Sequence, residues 1–321
     1  MSAPPTVPAQ ESGRAPEHGG GPGRTRTLAR ADARAGLALI SPTLVIVLVM
    51  VVLPIIWTIL LAFQRLRLLN LRSSGLFGNF TLQNFANVFT SGAFWGSLGT
   101  TLTYSVLGTA SAIGLGLVAA LALRRKFPGR GFVRAAMLLP YVAPIVAVTF
   151  AWSTMLSPQF GVINHWGVQL FGWDDPIAFL TQSPTALYTV IAFEAWRSFP
   201  FAFLFLTARL QALPATLEEA ATVDGATLTQ RFRHVVLPQL LPTIAVLAVL
   251  RFIWTFNSFD DIYLLTGGGA GTEVISVAVF NSLTARGDIG GAAAQALVLA
   301  AILAVLIGLY LWRLAPREEK S

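Results

Sequence analysis

The chain has 321 residues, of which 55% are hydrophobic and 12% charged, against about a quarter charged in an ordinary soluble domain. It contains no cysteine, which excludes a disulfide framework, a thiol nucleophile and a cysteine-ligated metal. The formal charge of +7 is carried almost wholly by arginine, and its placement, described below, argues against a nucleic-acid partner.

Residues 1–33 are rich in Pro, Gly, Ala and Arg without an apolar period and read as a disordered tail. The tail lacks the apolar centre of a signal peptide, and the apolar run that follows is too long to be one. Six apolar segments come next, at about 37–63, 98–123, 132–156, 185–208, 239–262 and 291–312. Each is near the roughly 20 residues that cross a bilayer, and each must close its backbone hydrogen bonds within a helix. The expected fold is therefore all-α and polytopic. It has a six-span domain over 34–313 and short tails at 1–33 and 314–321. No internal repeat is visible.

The basic residues orient the bundle. Arg14, Arg24, Arg26, Arg30 and Arg34 precede the first segment, and Arg124, Arg125, Lys126, Arg130 and Arg134 lie around the link between the second and third. Arg209, Arg231 and Arg233 flank the link between the fourth and fifth, and Arg313, Arg317 and Lys320 follow the sixth. The opposite links hold only Arg65, Arg67, Arg72 and Arg286. The side rich in Arg and Lys is cytoplasmic by the positive-inside rule, so both termini and the 209–237 link are expected inside. The positive charge then serves topology and contact with anionic lipid headgroups.

That link carries the most structured polar stretch in the chain. Thr216 and Glu219 have capping-box spacing, as do Thr227 and Gln230. Gly225 suits the left-handed turn that closes a helix, and Pro238 suits the start of the next long one. The expected local structure is helix, glycine elbow, short helix, membrane span. The pattern Glu219-Ala220-Ala221, three residues, Gly225, nine residues, Val235, one residue, Leu237-Pro238 resembles the coupling loop of binding-protein-dependent ABC importer permeases. The resemblance extends over roughly residues 37–313 and is strongest to sugar permeases related to the maltose transporter's membrane subunits.

The resemblance implies a helix–Gly–helix loop seated in a groove of an ATPase subunit. Glu219, Ala220, Ala221, Asp224, Gly225, Leu237 and Pro238 would be its coupling residues. It implies a second, similar permease, two cytoplasmic ATPase subunits that hold ATP and Mg, an extracytoplasmic solute-binding protein, and alternating access in the bacterial inner membrane. This chain itself would hydrolyse nothing and hold no cofactor.

The outer links add less. Asn79-Phe-Thr-Leu-Gln-Asn84 resembles the family's segment before the second span, and Leu264-Leu-Thr-Gly-Gly-Gly269 its Leu-Thr-Gly-Gly signature. The family's usual proline after those glycines is replaced by Ala270 and Gly271, which puts the local conformation in question. The glycines are no phosphate loop, since no Gly-Lys pair exists in the chain. Trp166 and Trp173 suit interfacial anchoring. His18, His165 and His234 are scattered and lack metal-ligand spacing, and no stretch pairs a nucleophile with a histidine.

Ionisable residues inside spans mark function or buried pairs. Glu194 and Arg197 stand three apart and can neutralise each other locally. Arg251 lies 13 residues beyond Pro238, roughly 20 Å along a helix. Arg251, Trp254 and Asn257 follow at intervals of three, then Asp260 and Asp261. Aromatic faces with amide and guanidinium donors suit a sugar, so Glu194, Arg197, Arg251, Trp254, Asn257 and Asp260 are the candidate substrate path. A plainer reading has Asn257 and Asp260 only capping the helix end. Arg197 and Arg251 against Glu194 sum to a positive site, which leaves a glycerol phosphate or other non-sugar solute open. An ion-coupled secondary transporter is the rival outside the family, though it would usually show internal repeats.

Overall fold

The computed structural model describes residues 39–70 and 80–314. The expected N-terminal tail, Arg72, Asn79, Arg317 and Lys320 lie outside the described residues. The chain divides into a unit ending at Trp57 and one starting at Thr58. The first is described from Leu39, as the beginning of α1 (Leu39–Ala62), a span of mean hydropathy 3.2. α1 widens into a π-turn at Leu48–Val52.

From Thr58 onward the elements are helical. α2 (Gln83–Thr90) precedes α3 (Gly92–Ala122), and a bent pair, α4 (Arg130–Val142) and α5 (Ile145–Met155), follows. Next come α6 (Val162–Phe171), α7 (Thr185–Gln211) and α8 (Ala215–Val223). α9 runs from Leu228 to Phe256. α10 (Asp260–Thr266), α11 (Ile275–Thr284) and α12 (Ile289–Leu314) complete the order. The described residues contain five helices long and apolar enough to span, six when the bent pair counts as one.

The third expected span, 132–156, is not one straight helix. It bends by 96° between Val142 and Ile145. Pro144 has no N–H to donate, and its ring disfavours helical geometry at Ala143, which is extended at φ −66°, ψ 142°. The fifth, expected at 239–262, begins eleven residues early at Leu228 and stops at Phe256, so Pro238 does not open it. Pro238 instead follows a π-turn at Phe232–Val236 inside a continuous helix. A wide turn there accommodates a residue that cannot make the ordinary helical bond.

α3 and α7 form the central pair. The buried face of α3 includes Ser97, Thr101, Ser105, Gly108, Ala112, Gly116 and Ala120, a ridge of small residues. Small residues let membrane helices approach closely, where packing replaces the hydrophobic effect as the driving force. The approach is closest at Gly116, where an added Cβ would stand 2.6 Å from Ala202 Cβ and 2.8 Å from the Phe203 nitrogen.

Two apolar clusters then stack along α7. One holds Val190, Ile191 and Phe193 with Tyr104, Ile262 and Val274. The other holds Ala202, Phe203, Leu206 and Leu210 with Ile113, Ala120, Leu240 and Leu247. Residues 194–198 lie between them, and that interval is polar.

Candidate functional site

Two polar regions stand out, one buried between the clusters and one exposed beyond them. The buried region is a charged seam. Glu194 on α7 is 2% exposed. Its Oε1 accepts from Ser198 Oγ at 2.9 Å and from Thr255 Oγ1 at 3.2 Å, and is ion-paired with Arg251 Nη2. Arg197 approaches Glu194 Oε2 at 3.7 Å and binds Asp261 more closely, at 3.1 and 3.2 Å. Asp261 is fully buried and also accepts from the Tyr104 hydroxyl at 3.3 Å. The seam therefore joins α3, α7, α9 and α10. An added Cβ on Gly108 would lie 3.3 Å from Glu194 Cγ, so only a small residue lets α3 cross there.

Two guanidiniums and two carboxylates make the seam formally neutral. The positive balance expected from the spans is thus corrected: Asp261 supplies the missing negative charge. An isolated charge in an apolar span costs several kcal/mol, and pairing with hydrogen bonds offsets it.

The expected row Arg251, Trp254, Asn257, Asp260 does not stand together. Arg251 is buried against Glu194, with its guanidinium carbon 5.7 Å from the Trp254 ring centre. Trp254 is 48% exposed and meets Phe201 edge-on. Asn257 donates to its own helix at Ile253 O, 2.8 Å away, and ends α9. Asp260 is exposed in the first turn of α10. The helix break at Asn257 re-aims everything after it, and so Asp261 rather than Asp260 enters the seam. Sequence reasoning also missed Tyr104, Ser198 and Thr255. Hydroxyl residues in a span carry no signal until a charge is placed beside them.

The exposed region is the elbow between α8 and α9. Gly225 has φ +78°, a conformation costly for a residue with a Cβ. The α9 capping box is present: Thr227 N donates to Gln230 Oε1 at 2.8 Å, and Gln230 N to Thr227 Oγ1 at 3.3 Å. The α8 box is absent. α8 begins at Ala215 with Pro214 as its cap and no side-chain cap bond. Thr216 and Glu219 consequently lie within the helix and form no capping box. Glu219 is exposed and has no ion-pair partner among the described residues. Ala220, Asp224 and Gly225 are exposed beside it, Ala221 and Leu237 are partly covered, and Pro238 is exposed on α9.

Apolar side chains on this elbow are also exposed, with Val223 at 87% and Leu217 and Leu228 open. α8 buries none of its residues. An exposed apolar patch rimmed by polar groups marks a contact surface. Near the Leu-Thr-Gly-Gly stretch, Ala270 has φ +52°, which a proline ring cannot adopt.

The cavities do not single out a solute site. A hollow of about 440 Å³ among Val106, Ile113, Ala248, Phe252, Leu306 and Tyr310 is almost wholly apolar, unsuited to a polyhydroxyl ligand. Among the described residues no group of three or more His, Asp or Glu is placed to hold a metal ion.

With this geometry in view, residues 112–318 match the family described as "Binding-protein-dependent transport system inner membrane component". The chain is 34% identical over 279 residues to the inner membrane ABC transporter permease protein YcjO of Escherichia coli, covering 87% of this chain and 93% of that one. It is 34% identical over 286 residues to the trehalose/maltose transport system permease protein MalF of Thermococcus litoralis, covering 88% and 95%. Its fold matches a subunit of a bacterial ABC transporter involved in import of the acidic polysaccharide alginate. There the TM-score is 0.76 at 26% identity, over 88% of this chain and 96% of that one. The same transporter is known in complex with a periplasmic protein carrying an alginate pentasaccharide. The chain belongs to the family of binding-protein-dependent transport system inner membrane components, as a multi-pass permease subunit of an ABC importer.

Proposed function

We propose that the importer carries a neutral sugar, delivered by an extracytoplasmic binding protein. The chain would pair with a second, similar permease and with two ATPase subunits that bind ATP and Mg. Both termini and the α8–α9 elbow face the cytoplasm, in keeping with the arginine asymmetry. The elbow docks on the ATPase through the exposed Val223, Leu217 and Leu228, with Glu219 facing a basic group. Ala220 and Ala221 keep that face narrow, Asp224 and Gly225 set the turn, and Leu237 and Pro238 lead into the span. The observation that carries this reading is an elbow with exposed apolar side chains and a capping box, left uncovered by the described residues, with a carboxylate that has no ion-pair partner among them.

The sugar reading rests on the trehalose/maltose relative and on the neutrality of the seam, which gives a phosphorylated solute no net positive charge. Trp254 supplies an exposed ring for stacking, with Asn257 and Asp260 beyond it near the helix end. In this reading Glu194, Arg197 and Arg251 shape the path rather than grip the solute. An importer must release its load, so each contact is modest, about the net 0.5–1.5 kcal/mol of one hydrogen bond.

The test is ATP-driven uptake by the reconstituted transporter with its binding protein, offering trehalose, maltose and glycerol 3-phosphate in parallel. Uptake of a sugar alone is the expected result. Exclusive uptake of the phosphate, lost on Arg251→Gln, would overturn the sugar reading and leave the family intact.

A further inference from the structure

The elbow is joined to α7 and α9 by the chain itself, through Ala212–Pro214 on one side and Leu228 on the other. It has no such link to α3, which begins and ends elsewhere. Yet α3 is the span packed closest along α7, and its Tyr104 reaches the seam through Asp261. Movement of the elbow can reach α3 by way of α7, on which α3 packs, or directly, through a side-chain contact between α8 and the end of α3.

One contact is built for that. Glu218, in the first turn of α8 beside Glu219, turns back toward the bundle and is 23% exposed. Arg124 directly follows Leu123, the C-cap of α3. Its guanidinium takes both carboxylate oxygens, Nη1 donating to Oε2 at 2.9 Å and Nη2 to Oε1. The fork fixes orientation as well as distance, which a single ammonium would not.

Around it, Thr222 Oγ1 donates to Glu218 O at 2.7 Å and accepts from Arg231 Nη1 at 2.8 Å, binding α8 to the start of α9. Arg134 reaches the Leu123 carbonyl at 3.4 Å. Leu123 and Ala120 pack on Leu210 and Val236, but a hollow of about 490 Å³ bounded by Leu121, Arg125, Leu228, Phe232 and Val236 opens beside the fork, so the ion pair is the contact that reaches α8 itself.

We propose that the Arg124–Glu218 pair is the positioning contact that makes α3 move as one body with the elbow. The inference rests on the reading of the elbow as the ATPase-docking loop. Glu219 faces outward to the partner and Glu218 faces inward to the span. Adjacent carboxylates on one helix thus divide reception from transmission.

The chain has no cysteine of its own, so labels can be placed singly or in pairs. Nitroxides on cysteines replacing exposed Val223 and Leu115 report the elbow-to-α3 distance in the assembled transporter by pulsed electron resonance. A narrow distribution, unchanged between nucleotide-free and ATP–vanadate states, is expected. Arg124→Glu should broaden it or shift it by several Å on trapping, and Arg124→Glu with Glu218→Arg should narrow it again. Arg124→Gln serves the same purpose should the charge reversal prevent assembly.

A distribution as narrow in the Arg124 variants as in the parent, or a parent distance that changes with nucleotide, overturns the proposal. The underlying reading is checked apart: a benzophenone on the Val223 cysteine should cross-link to the ATPase. A missing cross-link overturns the docking reading and the transmission role with it, whereas unchanged distances overturn only the part given to the ion pair.

Discussion

The seam and the elbow are built from the same residue types and use them in opposite ways. At Glu194 and Asp261, carboxylates are enclosed and every charge has a partner from another helix. At Glu219, a carboxylate is left open on a helix that buries nothing. The contrast teaches that a buried charge in a span is first a structural commitment, since its removal strands another charge. An exposed, unpaired charge on a pre-shaped loop is available to a partner. Arg124–Glu218 is intermediate in exposure, half-covered, and joins the end of α3 to the elbow.

The contrast is broken most severely from the seam side. Glu194→Ala leaves Arg251 buried without its carboxylate, and breaking a buried pair costs about 3–5 kcal/mol. Loss of most folded protein in a detergent thermal-unfolding assay is expected. Replacing both Glu194 and Arg251 by Met should recover much of that loss, because apolar isosteres strand no charge. A double variant as unstable as the single would show that the pair does more than satisfy itself.

Asp261→Asn is the next step down. Arg197 is partly exposed and retains Glu194 at 3.7 Å, so the expected loss is about 1–3 kcal/mol, the cost of an impaired buried polar contact. The same unfolding assay reads it.

Gly225→Val acts on the elbow. A β-branched residue at φ +78° costs roughly 1–2 kcal/mol locally. The spans should stay folded while co-purification with the ATPase falls. Glu219→Gln is milder for the chain. Since Glu219 caps nothing, its stability should stay within about 0.5 kcal/mol of the parent, while ATP-driven uptake drops. Normal uptake in both variants would remove the elbow from the coupling account.

The smallest expected effects are at the helix end. Trp254→Ala and Asn257→Ala should leave assembly intact and reduce uptake a fewfold, in line with single hydrogen bonds of about 0.5–1.5 kcal/mol. Undiminished uptake would place the solute path elsewhere.

What was legible in the sequence follows the range of the interactions. The spans and the second capping box depend on neighbours within a few residues; the box is present as read, and the described residues give the six spans when the bent pair counts as one. The first capping box is absent because Pro214 caps α8 and the helix starts at Ala215, one residue before Thr216. The bend at Pro144 was legible in principle from the rule for the residue before proline, but the long apolar run concealed it. Asp261 and Arg124–Glu218 were not legible. The first depends on a helix break at Asn257, and the second joins residues 94 apart. No local period carries either.

In this reading the elbow is a cytoplasmic docking surface held ready by the bundle beneath it. A single cysteine at Val223 tests it directly, carrying a benzophenone in one arm and challenged with a membrane-impermeant maleimide in sealed cells in the other. A cross-link to the ATPase subunit and no labelling until the membrane is opened are the expected results. Labelling from outside in intact cells, with no cross-link, would contradict the reading.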